Sequence, residues 1–135
     1  MILYRIVMRA SLLINCSKRE AQEVRSRADF QRRTVSGYIV NIVIRRIEFA
    51  EEIASAANRP AFYSYRGRKT AEAAGPRTTL HIYCAFDEAR QIRRAARLSK
   101  LTMSGFIFHC LHNSWQTEDS LAEIQGKKRV RQRAL

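Results

Sequence analysis

The chain contains one stretch twice. Residues 9–46 and residues 77–114 align at a constant offset of 68 without a gap, and twelve of the 38 positions are identical. The identities are Arg9/Arg77, Leu12/Leu80, Ile14/Ile82, Cys16/Cys84, Glu20/Glu88, Ala21/Ala89, Arg25/Arg93, Ala28/Ala96, Thr34/Thr102, Ser36/Ser104, Gly37/Gly105 and Ile39/Ile107. Like-for-like pairs include Val24/Ile92, Phe30/Leu98, Val35/Met103, Tyr38/Phe106 and Val43/Leu111. A period this long, present only twice, implies a duplicated folding unit; a solenoid would need further copies to bury its faces.

Each copy opens on an alternating run. Leu12, Ile14 and Cys16 share one face, as do Leu80, Ile82 and Cys84, with more polar residues between them; this is the period of a half-buried strand. Ser17 with Glu20 three residues on has the pattern of a capping box, so a helix starts there. The second copy has Ala85 in place of Ser17, and Asp87 and Glu88 favour its helix start through the helix dipole. Ala21, Val24 and Ala28, matched by Ala89, Ile92 and Ala96, continue at helical spacing. After the breaks QRRT and SKLT, Thr34 and Thr102 are good caps for a second helix. That helix is apolar nearly all round (Ile39 to Ile44, Phe106 to Leu111) and must be surrounded. A strand and two helices of about 40 residues stand near the lower limit for independent folding, so the two units are expected to interlock. The expected fold is mainly α, with a short strand opening each of two interlocking, pseudo-symmetric units.

The strands LLINC and LHIYC, the first helices, and the turns TVSGYI and TMSGFI together resemble the ribbon-helix-helix family of DNA-binding proteins, the group of the MetJ and Arc repressors. Both repeats match over their full length. Gly37 and Gly105 depart from the pattern, since members more often carry a larger residue there, and glycine costs about 1 kcal/mol of helix propensity. A close approach of two helices would be one use for it.

Net charge is +13, from 25 basic and 12 acidic side chains, which points to a polyanionic partner without choosing among DNA, RNA and an anionic membrane surface. The three cysteines have no dense spacing pattern and are expected as small buried hydrophobes in a reducing compartment. The N-terminal stretch is broken by Arg5 and Arg9, is shorter than the about 20 apolar residues of a membrane span, and lacks the features of a secretory signal; Met8 is an alternative start. A cytoplasmic, nucleoid-associated protein with no membrane partner is the expectation.

The expected organisation is a first unit over residues 1–58, a linker over 59–76, a second unit over 77–117 and a basic tail over 118–135. The linker interleaves Arg59, Arg66, Arg68 and Lys69 with Phe62, Tyr63 and Tyr65. It reads either as an arm touching nucleic acid or as a solvated connection with its aromatics packed on the bundle. Stretched at about 3.3 Å per residue it reaches about 55 Å, enough to return the second strand beside the first. The tail adds a short helix over TEDSLAEIQ and ends in a basic run that gives nonspecific phosphate affinity.

The resemblance implies a tandem ribbon-helix-helix fold, mainly α and pseudo-two-fold symmetric, in which the two strands pair into a short two-stranded antiparallel β-ribbon that enters the major groove of double-stranded DNA. With Leu12, Ile14 and Cys16 and their counterparts facing the helices, Ser11, Leu13, Asn15, Thr79, His81 and Tyr83 face outward as base-contacting candidates. Asparagine suits adenine, hydroxyls are tolerant readers, and Leu13 suits a thymine methyl; the competing reading is an exposed strand face with no ligand. Phosphate-contacting candidates are Thr34, Ser36, Thr102 and Ser104 at the second-helix starts, with Arg9, Arg77, Arg32, Arg33 and Lys100 adding charge. Thr34 and Thr102 act as caps in either case. The unlike outward triplets imply unlike half-sites.

No cofactor or enzymatic activity is expected, because no phosphate loop, acid pair or nucleophile motif is present. His109, Cys110 and His112 lack the i, i+4 spacing and third ligand of a helical zinc site. The expected role is a transcriptional repressor or regulator. Ribbon-helix-helix folds also serve as antitoxins, which hold a toxin with a separate tail, and as conjugation (relaxosome) accessory proteins, so a toxin, a conjugation protein or a further homodimer are alternative partners. Antitoxin tails are often acidic or mixed, whereas this one ends basic. RNA binding is the remaining alternative, weakened because the aromatics cluster in the linker and the buried helix instead of on an open sheet.

Overall fold

A computed structural model describes residues 9–58 and 75–133, with side chains as far as residue 126; the first eight residues and most of the linker, with its aromatics, lie outside the described residues. The elements are β1 (Arg9–Ser17), α1 (Lys18–Phe30), α2 (Val35–Ala56), β2 (Arg77–Ala85), α3 (Phe86–Leu98) and α4 (Met103–Arg133). Among the described residues the protein is mainly helical, with a two-stranded antiparallel sheet.

The alternation in both strands sets which face is buried. Leu12, Ile14, Cys16, Leu80, Ile82 and Cys84 lie under the ribbon against the helices, and the residues between them are exposed. The register runs from Arg9 opposite Ala85 to Ser17 opposite Arg77, so Leu13 faces His81 at the centre. A one-residue slip would turn every core side chain outward.

Ser17 caps α1 as its spacing implies. Its hydroxyl accepts from the Glu20 N–H at 3.0 Å, and the Glu20 carboxylate accepts from the Ser17 N–H at 2.9 Å. Only half of this is present at α3, where Ala85 has no side-chain oxygen and its N–H donates to Glu88 at 2.8 Å. Each first helix ends in a left-handed residue, Arg32 at φ 54° and Lys100 at φ 56°. The following N–H groups turn back to satisfy carbonyls, Arg33 to Ala28 and Leu101 to Ala96. This is the hydrogen bonding of a glycine-type helix stop, made here by residues for which the left-handed region costs about 1 kcal/mol or more.

Thr34 and Thr102 then cap α2 and α4, each hydroxyl accepting at 3.0 Å from the N–H of Gly37 or Gly105. The glycines make room for this cap and not for a second helix. A Cβ on either would lie 3.0 Å from the threonine hydroxyl. Helix α2 continues to Ala56 and stops at Asn58, which takes φ 50°.

Helix α4 differs from the sequence reading, which placed a boundary between residues 117 and 118. It continues as one helix to Arg133. Arg27 on α1 fastens its middle, bonding Glu118 at 2.7 Å and Asp119 at 3.0 Å as well as Glu23 at 2.6 Å on its own helix. The same guanidinium lies 5.3 Å from the centre of the Trp115 ring, whose N–H donates to the Tyr38 hydroxyl at 2.9 Å.

One core holds the molecule together. Tyr38, Ile39, Val43 and Ile47 of α2 pack with Phe106, Ile107, Phe108 and Leu111 of α4 beneath the ribbon. The halves interlock, since α2 packs on β2 and α4 packs on β1. The polar interior is confined to one side. Glu20, fully buried, meets His112 at 2.8 Å. The positions 68 residues away from Ser17, Arg27, Tyr38, His112 and Trp115 hold Ala85, Ala95, Phe106, Ile44 and Ile47, which cannot reproduce these bonds.

Candidate nucleic-acid interface

Antiparallel pairing brings Ser11, Leu13, Asn15, Thr79, His81 and Tyr83 onto one exposed face. They stand in three facing pairs, Ser11 with Tyr83, Leu13 with His81 and Asn15 with Thr79. Leu13 is 52% and Tyr83 55% exposed on this face. The face carries hydroxyls, an amide, an imidazole, an aliphatic branch and a phenol. It therefore offers donors, acceptors and an apolar contact within a few residues of strand.

The ribbon is fixed to the helices at both outer edges. The Tyr83 N–H donates to the Ser36 hydroxyl at 3.0 Å, and the Asn15 N–H donates to the Ser104 hydroxyl at 2.9 Å. Each second helix thus begins against the strand of the other half. These bonds use edge N–H groups that would otherwise offer a template to another chain. The sequence reading singled out Ser36 and Ser104 as hydroxyls for an anion; each accepts a strand N–H, and its own proton remains available to donate.

Around these clips the helix starts present further donors. Gly37 and Gly105 N–H groups are taken by the threonine caps, and Tyr38 and Phe106 N–H groups begin the helical ladders. Among the described residues no hydrogen bond takes the N–H groups of Val35 and Ser36 or of Met103 and Ser104, the usual orphans of a first turn. Arg32, Arg33 and Lys100 are exposed in the turns just before them. Arg9 and Arg77 are exposed at opposite ends of the ribbon, about 27 Å apart at about 3.4 Å per residue. The base-contacting and phosphate-contacting candidates therefore lie on the ribbon and on the two turns that flank it. Arg27, whose contacts fasten α4, gave no such signal, because its partners lie far away in sequence.

The three cysteines are buried and form no disulfide. Burial pushes the Cys84 thiol up from its ordinary value and the Cys110 thiol up to about 12, so neither is poised as a nucleophile. His109, Cys110 and His112 do not converge, and among the described residues no group of three or more His, Cys, Asp or Glu side chains could hold a metal ion. No helix among the described residues is long and apolar enough to cross a membrane.

No protein-family model matches the chain, and comparison with curated proteins and with solved structures finds no significant match to either.

Proposed function

We propose that the chain is a sequence-specific binder of double-stranded DNA, built as two ribbon-helix-helix units in tandem and acting as a transcriptional repressor or regulator. The observation that carries this reading is the paired, exposed face of Ser11, Leu13, Asn15, Thr79, His81 and Tyr83 on a ribbon clipped at both edges to helix starts. A two-stranded ribbon fits a major groove about 12 Å wide. Its outward side chains read base edges, while Thr34, Ser36, Thr102 and Ser104, with the free N–H groups beside them, grip a phosphate on each flank. Arg9, Arg77, Arg32, Arg33 and Lys100 strengthen the grip without reading sequence, and the net charge of +13 steers the approach.

The repeat offset relates Leu13 to His81, the residue it faces, so a pseudo-two-fold axis passes through that central pair. The same operation exchanges Ser11 with Thr79 and Asn15 with Tyr83. One half-site therefore meets Ser11 and Tyr83, the other Asn15 and Thr79, and the preferred DNA core is asymmetric. A second role is favoured by α4, whose helix runs beyond the Arg27 anchor and exposes Leu121 and Ile124. Such an arm suits a protein partner, as in an antitoxin or a conjugation accessory protein.

Selection of bound fragments from random duplexes, followed by competition with single-stranded DNA and structured RNA of equal length, tests the reading. The expected result is a duplex preference with an asymmetric core that shifts when His81 and Asn15 are replaced by alanine. Equal binding to all three competitors, or equal changes on every sequence, would overturn it.

A further inference from the structure

Where α2 passes α4 there is a cleft of about 350 Å³, leaning toward the turn between α1 and α2. Arg45 and Arg46 lie nine and ten residues beyond Ser36, so they stand about 14 Å along the helix from the ribbon clip. Arg33 enters the lining from the turn. None of these three arginines has an ion pair among the described residues, and the one carboxylate in the lining, Glu118, is held by Arg27. The end of the cleft that holds Arg45 and Arg46 is thus uncompensated.

The remaining lining is of a different kind. Ile42, Cys110 and Phe49 supply an apolar surface, and Phe49 is 55% exposed on it. Asn41, Asn113 and Gln31 add amides with donors and acceptors. We infer that this cleft is a binding site for a small molecule bearing one phosphate on a planar heterocycle, the chemistry of a nucleoside monophosphate. Arg45 and Arg46 take the phosphate as charge-assisted donors, Phe49 stacks on the ring, and the amides meet the ring's polar edge. The volume falls within the range of about 300–1,000 Å³ typical of small-ligand pockets. Apart from Arg33, the site shares no residue with the ribbon face and its flanking turns, so it can fail with DNA binding intact and survive if the ribbon reads nothing.

Thermal melting of the full chain with each of the four ribonucleoside monophosphates tests this, with the matching nucleosides and inorganic phosphate as controls. At least one monophosphate is expected to raise the melting temperature by about 5 °C at about ten times its Kd, with neither control doing so at the same concentration. The Arg45→Gln, Arg46→Gln double variant is expected to lose the shift. Phe49→Ala, which alters an exposed side chain, is expected to weaken binding about tenfold by calorimetric titration. No shift with any monophosphate, an equal shift with inorganic phosphate, or full binding by both variants would overturn the proposal.

Discussion

Replacing Ser36 and Ser104 by alanine removes the two clips between ribbon and helices and nothing else of comparable strength. Each hydroxyl accepts one strand N–H, at 3.0 Å from Tyr83 and 2.9 Å from Asn15. Both bonds are solvent-exposed, so water replaces part of what is lost and each costs about 0.5–1 kcal/mol. The sites share no partner, and the losses should add to about 1–2 kcal/mol, or a fall in melting temperature of about 3–8 °C. The local signature is sharper than the global one. Amide hydrogen exchange at Asn15 and Tyr83 should accelerate about two- to fivefold in the respective single variants, the equivalent of about 0.5–1 kcal/mol per bond. Thr34→Ala and Thr102→Ala cost a similar amount as lost caps, about 1 kcal/mol each, but their exchange signature belongs at Gly37 and Gly105. A fall in stability with unchanged protection at Asn15 and Tyr83 would refute the clip.

Other perturbations probe the supports of the site. Arg27→Met should lower the unfolding free energy by about 2 kcal/mol in urea, because a largely buried guanidinium leaves two helices' carboxylates and the Trp115 ring; a loss below about 0.5 kcal/mol would show that α4 is held elsewhere. Arg32→Gly and Lys100→Gly should each stabilise by up to about 1 kcal/mol, since glycine takes the left-handed conformation without a Cβ penalty; a marked loss at either would contradict the turn geometry. Cys110 is pushed up to about 12 from an ordinary value near 9 by burial. Folded and unfolded chains both keep the thiol protonated below pH 9, and above it the unfolded chain ionises first, so stability falls between about pH 9 and 12, by at most about 4 kcal/mol. Cys110→Ala should flatten that limb of a pH-dependent melting series.

The ribbon was legible in the sequence because its signal is local: alternation in β1 and β2 places Leu12, Ile14, Leu80 and Ile82 inward whatever the rest of the chain does. The caps were legible for the same reason, with Ser17, Glu20, Thr34 and Thr102 acting within three residues of themselves. The turns hid their conformation, since Arg32 and Lys100 occupy positions where glycine would have announced a helix stop. Ser36 and Ser104 were visible as hydroxyls at helix starts, but their strand partners are 47 and 89 residues away. Distance also hid the Arg27 anchor, which depends on Glu118, and with it the continuity of α4 across the expected boundary. The cleft was illegible altogether, because Arg45 and Arg46 join Asn113 and Ser114 only through the crossing of α2 and α4.

The ribbon's place in DNA binding is tested most directly by one substitution at its centre, Leu13→Glu, with affinity measured on a duplex obtained by selection. Leu13 is exposed and faces His81, so the fold should tolerate the change. A carboxylate placed between base edges and phosphates should weaken binding on the order of 100-fold or more, with the melting temperature nearly unchanged. Affinity that stays within about twofold of the unaltered chain, in a protein that melts normally, would show that the ribbon does not enter the groove.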